Sequence, residues 1–277
     1  MPKGTTPDND RPVRPADLER ADAWLAQHGL DDIRPTPLLA IRLAARRATR
    51  LAADALLAAF IIAVALVYTV NRPEDAAVDG PGPPRHWSLP ALTAVVAGLV
   101  LALSLLDRRV RQADRRAAAT LPRRAAHPVR LGWRTVIGGP RVLFAVATFA
   151  GATSLAVGFL TKQDPTARYA ALVLLIGLCG VAAGTVVQLR HVLVRPVVAD
   201  DEGSLTADVV LRVEDARDVA TPSVVWCLPT VSVLGTGLGW WTAAWLAFVA
   251  LSVIALALIT ARTARSATVA RNVMSAR

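Results

Sequence analysis

The chain has 277 residues, of which 54% are hydrophobic and 31 are Lys or Arg, with a mean hydropathy of +0.43. So apolar a composition beside so many cations excludes an ordinary soluble domain. The formal charge of +10 does not point to nucleic acid, because the cations lie between apolar blocks, where the inner face of a membrane and its anionic lipid are the simplest partner.

Residues 1–14 are polar and Pro-containing, which predicts disorder. The first 35 residues hold no apolar core, so no cleavable signal peptide is expected. Pro15 opens a short helix in which Leu18, Ala21, Trp24 and Leu25 recur at helical spacing, and Gly29 is a stop signal. Its apolar face is expected to lie on the membrane surface in preference to docking on cytoplasmic loops. From Pro37 a second helix runs into the first of six apolar stretches: 51–70, 88–106, 142–161, 169–189, 220–239 and 241–261. About 20 residues at 1.5 Å each cross a hydrocarbon core of about 30 Å.

The segments between these stretches alternate between arginine-rich and arginine-poor. Residues 1–50 carry nine Lys/Arg, 71–87 two, 107–141 ten, the link before Tyr169 two, 190–222 four, and the tail from Arg262 four. By the positive-inside rule the expected fold is an all-α membrane protein with six transmembrane helices, both termini cytoplasmic, and short amphipathic cytoplasmic helices. The expected parts are a cytoplasmic segment 1–50, a transmembrane domain 51–261 and a basic tail 262–277. The fifth stretch carries Pro229 and three glycines from Gly235 to Gly239, so a re-entrant hairpin is its rival reading. A hairpin would strand the Arg-bearing tail outside, which favours a full but kinked crossing. Aromatic residues give a second signal: Tyr68, Trp87, Tyr169, Trp240 and Trp241 fall at outer ends, and Trp133 and Trp226 at inner ends, as interfacial anchors.

The interiors of the spans lack ionisable groups, and no catalytic motif stands out, so no enzyme and no cofactor or metal is expected. Asp54, near the inner end of the first span, is expected to pair with Arg50 one turn before it. Cys179 and Cys227 read as small packing residues. Small-residue spacing at Gly177, Gly180 and Gly184, and at Gly151 and Gly158, predicts close packing between the third and fourth spans, with a homo-oligomer face as the alternative. Loop 107–141 has a net charge of +8 and loop 190–222 a net charge of −3. Arg108, Arg109, Arg111, Arg115, Arg116, Arg123 and Arg124 are candidate contacts for anionic lipid or a protein partner. From Ser204 a helix is expected with Leu205, Val209 and Val213 on one face and an Asp208–Arg212 pair. It forms a cytoplasmic platform or, alternatively, a docking site for a partner.

The segment RPVVADDEGSLTADVVLRVEDAR, following the fourth span, resembles a loop in uncharacterised multi-pass membrane proteins of actinobacteria. The resemblance implies a bacterial plasma-membrane protein of similar topology. These features together predict a non-enzymatic accessory or scaffold component of the membrane, with a permease subunit energised by a separate ATPase as the alternative.

Overall fold

A computed structural model describes residues 14–70, 88–119, 133–161, 163, 165–194, 202–230, 239–263 and 266–269. Those residues hold helices and their connections, with no strand among them. In chain order the helices are α1 (Pro15–Gln27), α2 (Pro37–Val70), α3 (Ser88–Ala119), α4 (Trp133–Ile137), α5 (Gly139–Leu160), α6 (Pro165–Val194), α7 (Glu202–Val219), α8 (Ser223–Cys227) and α9 (Trp240–Arg262).

Five of them, α2, α3, α5, α6 and α9, are long and apolar enough to cross a membrane, and the chain is accordingly an integral membrane protein. Leu143, Ile176, Ile62 and Leu251 turn outward, each more than 60% exposed, as a lipid-facing surface requires. α2 has 34 residues and is about 50 Å long, roughly 20 Å more than the hydrocarbon needs. The helix expected from Pro37 and the first apolar stretch are therefore one uninterrupted rod, longer than a single crossing needs.

The long helices pack in a row, α2 on α3, α3 on α6, α6 on α5, and α5 on α9, while α8 touches α2, α5 and α6. Phe60, Val64, Val96, Phe159, Leu174, Leu228 and Trp245 form the core between them. The glycines set the close approaches, but against other helices than the short 161–168 link suggests. A Cβ on Gly177 or Gly180 would meet Val96 or Val100 of α3, at 3.0 and 3.3 Å. One on Gly151 or Gly158 would meet Phe248 or Trp241 of α9, at 2.7 and 2.9 Å. α5 and α6 are neighbours, yet their glycines face away from their shared seam. Gly184 has nothing within 4 Å.

α9 runs antiparallel to α5: Trp241 lies over Gly158, Phe248 over Gly151, and Thr260 accepts a hydrogen bond from Arg141 at 3.4 Å. α8 begins beside Thr49 and Asp107, where Ser223 lines the same cavity, and Leu228 reaches Gly177 near the middle of α6. The helix stops in front of Pro229, which lacks the N–H to continue it. Residues 231–238 of the expected fifth span lie outside the described residues. The chain returns at Trp240, whose neighbour Trp241 stacks on Phe159 with ring centroids 4.8 Å apart.

At one end of the bundle α1, α4, α7 and the 266–269 turn build a cap. Val209, Val210 and Val213 of α7 pack with Val136, Ile137 and Ala267. Ala207 and Leu211 pack on Ala21, Leu25, Leu39 and Ala40. Both described ends of the chain therefore meet at the cap. The apolar face of α1 does not lie on the membrane surface. Ala21 and Leu25 are buried against α2 and α7, because two buried walls remove more apolar area from water than an interface does.

Candidate functional site

Arg42, Arg46 and Arg50 follow each other at one-turn spacing on α2, so their side chains form a single row. α7 lies against that row and offers three aspartates. Arg42 donates to Asp208 at 2.6 Å, and Arg46 makes a two-pronged contact with Asp215 at 2.7 Å per bond. Arg50 donates to Asp218. The burial is graded: Asp208 is 1% exposed, Asp215 19% and Asp218 55%. Asp208 also accepts from Arg212 of its own helix at 2.9 Å, the pair expected from sequence. Arg212 is fully buried, so Asp208 joins two guanidinium groups in the heart of the cap. Arg50 turns to Asp218 and not to Asp54, which stands exposed.

His28 ties α1 into the same face. Its Nδ1 lies 2.7 Å from the Trp24 carbonyl and its Nε2 lies 2.8 Å from a Glu214 carboxylate oxygen. Both partners are acceptors, so the ring satisfies both only as imidazolium. The hydrogen bond to Glu214 raises the His28 pKa, burial opposes the rise, and the Trp24 carbonyl adds to it. Burial, and then the like charge of Arg141, lower the pKa of Arg217.

Beneath the ion-pair row lies a cleft in two joined parts. The outer part, about 160 Å³, is bounded by Arg46, Arg50, Asp107, Arg111, His191 and Asp218. The inner part, about 230 Å³, runs into the bundle between Val100 and Leu103 of α3, Phe149 of α5, and Gly180, Val181 and Gly184 of α6. Thr49, Asp107, Gln188, Asp218 and Val219 belong to both. The hydroxyls of the walls are already satisfied within their own helices: Thr49 bonds the Ala45 carbonyl, Ser104 that of Val100, Thr185 that of Val181 and Thr221 that of Arg217. The inner part is therefore apolar along Val100, Leu103, Phe149, Val181 and Gly184, with Asp107, Gln188 and Asp218 at its junction with the charged outer part.

The other expected site residues are dispersed. Arg108 and Arg109 are exposed on α3, and Arg111 faces the cleft. Arg123, Arg124 and Trp87 lie outside the described residues, as do the side chains of Arg115 and Arg116. Tyr169 shares a 2.7 Å hydrogen bond with Thr93, Tyr68 packs on the core, and Trp240 is 78% exposed, all away from the cap. Trp133 is exposed at the start of α4. Trp226 is half-buried, with an indole N–H that meets no acceptor among the described residues. The same residues contain no cluster of His, Cys, Asp or Glu able to hold a metal ion.

No known family, characterised protein or solved structure matches the chain.

Proposed function

We propose that the chain is a non-enzymatic accessory or scaffold component of a bacterial plasma membrane, crossing it six times with both termini in the cytoplasm. The observation that carries this reading is the α2–α7 ion-pair row. It fixes a folded cap to one end of an apolar bundle and uses the ionisable groups for structure, not for reaction. The cap is the arginine-rich end, which the positive-inside rule assigns to the cytoplasm. The sixth crossing is supported by the segment between α7 and α9: it starts at the cap beside Asp107 and ends where Trp241 meets Phe159. A re-entrant hairpin would bring it back to the cap.

Partner contacts then belong to the exposed basic end of α3, at Arg108 and Arg109, which also suits anionic lipid. α7 is unsuited to that role, because Val209, Val210, Leu211 and Val213 are each no more than 1% exposed within the chain itself. The same covering weakens the permease alternative, which needs a free cytoplasmic helix to couple to an ATPase. Native co-purification in mild detergent tests the reading. A partner lost on Arg108→Glu/Arg109→Glu is expected, whereas transport or turnover by the purified chain alone would overturn it.

A further inference from the structure

We propose that the cleft beneath the ion-pair row holds one zwitterionic phospholipid of the phosphoethanolamine class, its headgroup between Asp107 and Arg111 and one acyl chain against Gly184.

The apolar half of the site is a cavity that a side chain would close. Gly184 has nothing within 4 Å of where its Cβ would stand, so its lack of a side chain opens the space and does not tighten a helix contact. The hydroxyls of Thr49, Ser104, Thr185 and Thr221 bond back to their own helices, which leaves mostly methyl and methylene surface toward an occupant. A hydrocarbon chain loses no hydrogen bonds on entering such a space.

The charged half selects the headgroup. Arg46 and Arg50 are neutralised by Asp215 and Asp218. Asp107 and Arg111 stand one turn apart on α3, each within the other's electrostatic reach, with His191 of α6 lining the same part of the cleft. Neither Asp107 nor Arg111 makes a side-chain hydrogen bond among the described residues, and the Gln188 amide that lines the same cleft makes none either. A carboxylate beside a guanidinium and an amide complements a primary ammonium beside a phosphate. A purely anionic headgroup would meet Asp107 with like charge. A trimethylated amine would offer that carboxylate no N–H.

The test is native mass spectrometry of the full-length, delipidated protein in detergent, titrated with phosphatidylethanolamine, phosphatidylcholine or phosphatidylglycerol of identical chains. One phosphatidylethanolamine per chain is expected, held about ten-fold more tightly than either of the others. Asp107→Asn should erase the preference over phosphatidylcholine, and Gly184→Leu should lower retention of every lipid. If Gly184→Leu does not yield monodisperse protein, Ser104→Leu fills the same space from α3 and serves in its place. Equal retention of the three lipids, retention insensitive to the filling variant, or free phosphoethanolamine binding as tightly as the whole lipid would each overturn the proposal.

Discussion

Asp208 and Asp218 are the same residue type on the same helix, each bonded to an arginine of α2, yet their energetic weights differ by environment. Asp208 is buried between Arg42 and Arg212, so Asp208→Asn leaves two desolvated guanidinium groups short of their counter-charge. A loss of about 3–5 kcal/mol is expected. At Asp218 both partners are more than half exposed, and Asp218→Asn should cost no more than about 1 kcal/mol. Thermal unfolding of both variants in one detergent checks the contrast. His28 adds a pH dependence whose sign is fixed: its pKa is higher folded than unfolded. Its contribution is therefore complete below the unfolded value near 6.5 and is lost as pH rises through the folded value. Protection of the α1 amides, taken relative to their base-catalysed intrinsic exchange rates, should fall as pH rises through the folded value, and His28→Phe should make that protection independent of pH. At this scale sequence reading reached the Asp208–Arg212 pair, because four-residue spacing on a helix is a local rule. It missed the α2–α7 row, whose partners lie 166 to 169 residues apart. The one-sided spacing of Arg42, Arg46 and Arg50 was the available sign, but a row of arginines at a membrane edge reads equally well as a lipid contact.

α7 shows how an amphipathic reading falls short by one face. Leu205, Val209 and Val213 make a stripe, but Val210 and Leu211 lie off it and are as deeply buried. A helix apolar on two faces belongs between two layers, and here those layers are α1 with α2 on one side and α4 with the 266–269 turn on the other. The glycines divide in a similar way. Spacing alone makes Gly151 and Gly184 equivalent, whereas one faces the Phe248 ring and the other a cavity. Gly151→Ala is expected to destabilise the bundle by about 1–3 kcal/mol through overpacking, and Gly184→Ala to change stability by no more than about 0.5 kcal/mol. Midpoints of thermal aggregation for the two variants read this directly. The helix-forming stretches themselves were legible along most of the chain, because a run of about 20 apolar residues has few other solutions. α8 was not: its five residues are set by Pro229 and by the space between α2, α5 and α6.

For the molecule as a whole, two features that stand apart in the sequence come together, a set of apolar helices and an uneven distribution of charge. The charge does more than orient the chain. Arginines of the segment leading into the bundle and aspartates of a loop far along it close on each other, and that closure builds the cap at the same end as both described chain termini. A six-pass chain with that end in the cytoplasm is the central claim. Its most direct measurement is the side-specific labelling of single cysteines in a chain lacking Cys179 and Cys227, introduced at Gly80, Pro165, Thr120 and Ser275. Impermeant reagent added to intact cells should modify the first two only, and the last two should react only after the membrane is opened. Labelling of Ser275→Cys from outside, with Thr120→Cys still protected, would contradict the sixth crossing and with it the placement of the tail at the cap.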